Sequence, residues 1–233
     1  MIDFLSVITF LKDLNWGLTS FLLLAGALLF FLWRADRSAM GVRDITLVAT
    51  LSAVAALGRV PFAALPGIQP TTFMVTVAGM VFGGRAGFLV GCLGALVSNF
   101  FLGQGPWTVW QMAAWGLTGV CAGWWGKLSF GSNRWGLALF GVIWAFLFGW
   151  IMNIQYWITF TYPLTLSGYL TACATSLWFD VLHAASNAVL GFIIGPDIIR
   201  LLKDYRLVFE TASIEIIDEE TPDVGEDHLC ETR

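Results

Sequence analysis

Seven apolar segments, separated by glycine, proline or charged residues, constrain the fold of this chain more than any other feature. Their residue ranges are 14–33, 44–57, 71–82, 86–101, 107–125, 135–153 and 169–194. The first is about 20 residues long, enough for one helical membrane crossing. Several others are shorter, which predicts helices shielded from lipid by their neighbours or by partner proteins.

The composition agrees with a polytopic membrane protein. The mean hydropathy is +0.76 and only 12% of the residues are charged, which is unlike a water-soluble domain of this length. The sequence therefore predicts an all-α membrane protein in which one extra N-terminal transmembrane helix precedes a six-helix bundle.

Lysine and arginine predict the orientation of these helices. They collect in alternate gaps between the segments, at Arg34, Arg37, Arg43, Arg85, Lys127, Arg134, Arg200, Lys203 and Arg206. The other gaps contain only Arg59, and Lys12 precedes the first segment. By the positive-inside rule, the N-terminus lies outside and the C-terminus lies in the cytoplasm. The loops 58–70, 103–106 and 155–167 then face outward.

Three regions follow from this pattern. Residues 1–42 comprise an N-terminal interfacial segment, the extra transmembrane helix and a basic cytoplasmic loop. Residues 43–203 form the six-helix core, and residues 204–233 form an acidic cytoplasmic tail whose polar composition predicts disorder. The N-terminus lacks a basic stretch and a small-residue cleavage site, so we expect the first transmembrane helix to remain in the mature protein.

The sequence offers little support for catalysis or nucleic-acid binding. A net charge of -4 provides no basic face for nucleic acid. The four cysteines form no C-x-x-C pair and have no histidine at zinc spacing, so we expect neither a metal nor a cofactor. The P-loop, H-E-x-x-H and G-x-S-x-G motifs are absent. We therefore expect a chain that is not an enzyme and does not itself hydrolyse ATP.

The segment 107–125 carries aromatic and polar side chains on one face, starting from its outer end. Trp107, Trp110, Gln111, Ala114 and Thr118 fall within an arc of about 100° on a helix. A tryptophan belt at the lipid headgroup level accounts for Trp107. It does not account for Gln111, which lies roughly 6 Å deeper.

The last segment places ionisable residues within apolar sequence. One helical face carries Cys173, Ser176, Asp180, His183 and Asn187. A charge at the bilayer centre costs roughly 2.5 to 3.5 kcal/mol on insertion scales, so we expect Asp180 to face a cavity or a partner. Two interpretations remain open: a hydrogen bond from Asp180 to His183 or Asn99 that only holds helices together, or contact with a ligand.

Polar and aromatic residues converge on one outward-facing site, which predicts a ligand pocket. Arg59, the only basic residue in an outward loop of the core, could cap Asp180, bind a lipid phosphate or meet an anionic group of a ligand. The candidate pocket residues are Arg59, Gln69, Asn99, Gln104, Trp107, Trp110, Gln111, Asn153, Tyr156, Asp180 and His183.

The segment 44–57 carries a face of small residues at its cytoplasmic side. This face consists of Ala49, Ser52, Ala53 and Ala56, and it contains an A-x-x-x-A pattern. Small side chains let two helices approach closely, so the face is a candidate partner interface.

The region from Arg43 to about Lys203 resembles the substrate-binding S components of energy-coupling factor (ECF) vitamin transporters. The motifs that carry the resemblance are L-V-A-T-L-S-A-V-A-A-L-G-R-V from Leu47, P-F-A-A-L-P-G-I-Q-P from Pro61, V-F-G-G-R-A-G-F-L-V-G from Val81 and S-N-F-F-L-G-Q-G-P-W-T-V-W-Q-M-A-A-W-G from Ser98. The last of these is most similar to the subgroup associated with cobalamin uptake.

This resemblance implies six core helices with both core termini in the cytoplasm, and an outward pocket closed by the loop 58–70. It also implies that the face with Ala49 and Ala53 docks on a transmembrane T subunit, and that two cytoplasmic ATPases supply the energy. The S component is then expected to topple within the membrane to deliver its ligand. The extra N-terminal helix and the acidic tail depart from the family pattern.

The resulting hypothesis is the binding subunit of an ECF importer for a vitamin, cobalamin or a related corrinoid. Within the same class, the alternative is an S component for another small nutrient, such as a queuosine precursor or a thiamine precursor. From other classes, the alternatives are an intramembrane enzyme that uses Asp180 and His183 as an acid/base pair, and a structural membrane subunit that binds no small molecule.

Overall fold

The computed structural model describes residues 15–36 and 41–220, which form eight helices and no strand. In chain order they are α1 (Trp16–Asp36), α2 (Val42–Arg59), α3 (Pro70–Phe82), α4 (Gly84–Leu102), α5 (Trp107–Trp125), α6 (Arg134–Phe160), α7 (Leu166–Ile193) and α8 (Gly195–Glu220). The prediction of an all-α membrane protein is confirmed. By length and composition, α4, α6 and α7 are long and apolar enough to cross a membrane, whereas the sequence predicts seven crossings.

The short helix α3 lies at the centre of the bundle. It has 13 residues, begins at Pro70 and packs against α2, α4, α5, α6, α7 and α8. Val75 and Val77, which lie on opposite sides of the helix about 200° apart, are both fully buried. Protein therefore encloses α3 on most sides, which confirms that this short segment is shielded from lipid. A proline suits the first turn because its missing N–H would have no partner there.

Glycines allow α3, α4 and α5 to meet with their backbones in contact. Gly79 of α3, Gly87 of α4 and Gly119 of α5 lie at one junction. A Cβ atom on Gly87 would lie 2.6 Å from the Cα of Gly79 and 2.8 Å from the Cα of Gly119. No side chain fits at such distances, so this three-helix contact depends on glycine.

The helices α6 and α7 form a long antiparallel hairpin that packs on α3, and α6 also packs on α5. Polar side chains cap the beginning of each helix. The Gly136 N–H donates to Oδ1 of Asn133 at 2.8 Å, and the Gly168 N–H donates to Oγ1 of Thr165 at 3.2 Å. These caps satisfy backbone donors that have no partner within the first helical turn.

The extra helix α1 packs at the periphery, against α5 and α6. Its Leu28 is buried against the bundle, while Leu22, Leu23 and Leu29 are exposed. An apolar exposed face is what a helix in contact with lipid requires. The helix α2 packs mainly on α3 and α4, so α1 and α2 occupy different sides of the bundle.

The tail differs from the sequence-based expectation. Residues 204–220 continue α8 as a helix, where the sequence predicts disorder. The packing of α8 on the bundle anchors the beginning of this segment, because Ile199 is buried and Nη1 of Arg206 donates to the Val81 carbonyl at the end of α3, at 2.8 Å. Such carbonyls have no partner within their own helix. The predicted interfacial segment, at residues 1–12, and the last part of the tail, at 221–233, lie outside the described residues.

Candidate functional site

Arg59 is held at the meeting point of α2, α4 and α5. Its Nη1 donates to Oγ of Ser98 at 2.8 Å and to Oδ1 of Asn99 at 2.6 Å. The guanidinium carbon lies 4.9 Å from the centroid of the Trp115 ring. The aromatic face stabilises the positive charge without neutralising it.

Asn99 is the centre of the hydrogen-bond network around Arg59. It is buried, and its Nδ2 donates to Oε1 of Gln111 at 2.7 Å and to Oγ1 of Thr108 at 3.1 Å. Thr108 in turn donates to Oε1 of Gln104 at 2.9 Å. Because both polar atoms of the Asn99 side chain have protein partners, Asn99 positions its neighbours, whereas Arg59 and Gln111 remain partly exposed.

A second network crosses the bundle from α5 through α3 to α7. The indole N–H of Trp115 donates to Oγ1 of Thr72 at 2.9 Å, and this oxygen lies 2.8 Å from Nε2 of His183. The ring of Phe148 packs against both ends, with its centroid 4.6 Å from Trp115 and 5.5 Å from His183. These contacts form a continuous row in which the guanidinium of Arg59 lies over Trp115, Trp115 packs on Phe148, and Phe148 packs on His183.

A third cluster joins α6 to α7. Nδ2 of Asn153 donates to Oγ of Ser176 at 2.8 Å, and Ser176 donates to Oδ2 of Asp180 at 3.2 Å. The Asp180 carboxyl lies directly against the backbone of Gly149, where a side chain would collide with it. Asp180 is 6% exposed. The suggested helix-holding bonds from Asp180 to His183 or Asn99 are not formed, because Ser176 and Gly149 hold the carboxyl toward α6.

The loop between α2 and α3 lies on α7 beside His183. Gly67 has a left-handed backbone with φ of 77°, and a Cβ there would lie 2.8 Å from the Cβ of Leu182 and 3.2 Å from the backbone nitrogen of His183. Glycine permits both the conformation and the close contact. At the end of this loop, Oε1 of Gln69 is buried and has no hydrogen-bond partner.

The family model described as ECF-type riboflavin transporter, S component, matches residues 39–204, which include α2 to α7 and the beginning of α8. The chain belongs to this family. It is therefore a component of a membrane transporter and not an enzyme. No curated protein and no solved structure matches the chain.

The candidate pocket residues of this S component fall into several groups. Arg59, Asn99, Gln104 and Gln111 belong to one network, and His183 belongs to the second. Asn153 and Asp180 belong to the cluster between α6 and α7. Trp107, Trp110 and Gln69 keep partly or fully exposed side chains near the beginnings of α5 and α3.

Tyr156 lies apart from these networks. It is 53% exposed, and its ring packs on Phe160 with the centroids 5.6 Å apart. The candidate pocket residues also omit five residues of the S-component networks: Thr72, Ser98, Thr108, Trp115 and Ser176. Of these, the sequence placed only Ser176 on the same helical face as a candidate residue, Asp180. The position of Trp115, one helical turn after Gln111, was a signal that could have identified it.

The predicted partner face of this S component is narrower than the sequence suggests. Ala49 and Ala53 are exposed, as a docking surface requires. Ser52 and Ala56 are buried within the chain, and Oγ of Ser52 donates to the Val48 carbonyl at 2.6 Å. A partner helix could therefore contact only the two exposed alanines of this set.

Proposed function

We propose that this S component captures a vitamin from outside the cell and releases it through a transmembrane T subunit driven by two cytoplasmic ATPases. The family assignment supports the transporter role. The lysine and arginine pattern supports an outer N-terminus and a cytoplasmic C-terminus. In that orientation, the Arg59 network lies at the outer ends of α2, α4 and α5, where a ligand from outside arrives.

We propose a cobalamin or a related corrinoid as the vitamin, and the environment of Arg59 is the observation that carries this choice. Its hydrogen-bond acceptors are the neutral oxygens of Ser98 and Asn99, and no carboxylate among the described residues pairs with it. A partly buried cation without a counterion favours a ligand with an anionic group. Cobalamin carries a phosphodiester, and its many amides suit the exposed edge of Gln111.

Riboflavin is the second candidate, and the description of the matched family favours it. Its flat ring would stack on tryptophans such as Trp107 and Trp110, which are partly exposed at the beginning of α5. Riboflavin is uncharged, so it would leave Arg59 without an anionic partner. Cobalamin would therefore pair its phosphodiester with the charge of Arg59, whereas riboflavin binding would not depend on that charge.

A ligand panel separates these candidates. We expect saturable binding of cyanocobalamin to the purified chain by isothermal titration calorimetry. Cobinamide lacks the nucleotide loop and its phosphate, so it should bind about 10 to 100-fold more weakly, the equivalent of one charge-assisted hydrogen bond. Riboflavin, thiamine and a queuosine precursor serve as controls. Saturable binding of riboflavin without binding of cyanocobalamin would contradict the corrinoid assignment.

Docking on the T subunit should depend on the exposed alanines of α2. Replacing both Ala49 and Ala53 by leucine adds bulk where two helices must approach closely. We expect this double variant to lose about tenfold or more of the T subunit that co-purifies with the chain, relative to wild type. Cyanocobalamin binding should change by less than about twofold, because Ala49 and Ala53 lie about 15 and 9 Å from Arg59 along the axis of α2.

The matched control for docking is Ala174→Leu, since Ala174 is also exposed but lies on α7. It should leave co-purification unchanged. Equal recovery of the T subunit with the wild type and with the double variant would show that the α2 face is not the docking surface.

A further inference from the structure

The hydrogen bonds around Thr72 determine which nitrogen of His183 carries its proton. The indole nitrogen of Trp115 can only donate a hydrogen bond, so Oγ1 of Thr72 is the acceptor of the 2.9 Å contact. The hydroxyl of Thr72 has a single proton. Its other side-chain contact is Nε2 of His183, at 2.8 Å. The oxygen could also accept from an Nε2–H, but the proton of the fully buried Thr72 hydroxyl would then have no partner. The arrangement that pairs every proton therefore has Nε2 as the acceptor.

A neutral imidazole that accepts at Nε2 carries its proton on Nδ1. The described structure contains four buried side-chain polar atoms without a partner: Oε1 of Gln69, Nε1 of Trp144, Nε1 of Trp157 and Oδ1 of Asn187. Nδ1 of His183 is not one of them, and no hydrogen bond to a described residue involves it. The Nδ1 proton is therefore without an acceptor among the described side chains, on the turn of α7 against which the loop with Gly67 packs.

We infer that Trp115 and Thr72 fix His183 as a hydrogen-bond donor, and that its Nδ1–H binds an acceptor atom of the ligand, such as a carbonyl oxygen. This inference rests on the proposed vitamin-binding function. It makes Thr72 a positioning residue and His183 a specificity-determining residue. A ligand without an acceptor at this point leaves the donor unpaired, which costs about tenfold or more in affinity.

The protonation of His183 can be measured without a ligand. The chain has two histidines, His183 and His228, so selective ¹⁵N-histidine labelling gives only two ring systems to assign. We expect the empty wild-type chain to show a protonated Nδ1 and an unprotonated Nε2 for His183. Thr72→Ser should preserve this pattern, whereas Thr72→Val should lose it. A protonated Nε2 in the wild type would overturn the inference.

Two substitutions of His183 separate ligand contact from a purely structural bond to Thr72. The amide of asparagine approximates the position of Nδ1, and the longer amide of glutamine approximates that of Nε2. If Nδ1–H contacts the ligand, His183→Asn should retain cyanocobalamin affinity within about fivefold, and His183→Gln should lose about tenfold or more. If His183 serves only to hold α7 to Thr72, the order is reversed, and that order would overturn the inference.

Failure of the proposed function is distinguishable from failure of this inference. If the wild-type chain binds riboflavin instead, the riboflavin affinities of His183→Asn and His183→Gln are measured in the same way, because the ring carbonyls of riboflavin are also hydrogen-bond acceptors. If it binds neither vitamin, the function and the ligand contact both fail, while the ring-nitrogen signals still show whether Thr72 fixes the tautomer.

Discussion

Gly119→Val should prevent the chain from reaching its folded state in useful amounts. A Cβ on Gly119 would overlap the backbone carbonyl group of Gly87, and neither helix can retreat because Gly79 of α3 packs against the same junction. Overpacking a core typically costs about 1 to 3 kcal/mol, and a clash between backbones lies at or above the upper end. We expect a large loss of monodisperse protein in size-exclusion chromatography and a lower midpoint of thermal unfolding.

Gly26→Val is the matched control for this substitution. Gly26 also lies within a helix, but no atom comes within 4 Å of the Cβ position. It should therefore give protein with the wild-type yield and unfolding midpoint. A Gly119→Val variant with the same midpoint as wild type would show that α3, α4 and α5 do not pack through this junction.

Arg59→Gln should weaken cyanocobalamin binding by about 10 to 100-fold. The substitution keeps a polar side chain that can still bond to Ser98 or Asn99, but it removes the positive charge. Hydrogen bonds to charged groups contribute about 1.5 to 3 kcal/mol, and each 1.4 kcal/mol corresponds to a factor of ten in the dissociation constant. Calorimetric titration of both proteins measures the difference.

Cobinamide identifies which part of the ligand Arg59 contacts. Without the phosphate, the wild type and Arg59→Gln should bind cobinamide with affinities that differ by less than about threefold. Arg59→Lys retains the charge but not the planar fork, so it should show an intermediate loss with cyanocobalamin. An equal loss for both corrinoids in Arg59→Gln would mean that Arg59 supports the fold of the site and not recognition of the phosphate.

Several parts of the fold could be predicted because they depend on local sequence. Apolar segments and their boundaries predict the helices, and glycine or proline at the boundaries marks where most of them begin or end. The burial of α3 could also be predicted, since 13 residues cannot span a bilayer alone. The helical beginning of the tail could not, because Arg206 joins it to Val81, 125 residues away in the sequence.

For the candidate site, the sequence indicates polar and aromatic residues but not which of them pair. Asn99 and Gln111 were recognised as polar residues near helix ends, yet their direct hydrogen bond depends on how α4 crosses α5. The contact of Thr72 with His183 joins residues 111 positions apart, and a threonine in apolar sequence gives no signal of such a role. Tyr156 shows the same limit, since its sequence position does not reveal that its exposed ring packs on Phe160 and joins none of the three networks.

The central claim is that this chain binds a corrinoid on its outer side, and sealed membrane vesicles of known orientation test it most directly. Corrinoids are too large and polar to cross a bilayer unaided. Without ATP, radiolabelled cyanocobalamin should bind saturably to right-side-out vesicles that contain the chain, and to inside-out vesicles only after permeabilisation. Binding to sealed inside-out vesicles, or no binding to either orientation, would contradict the claim.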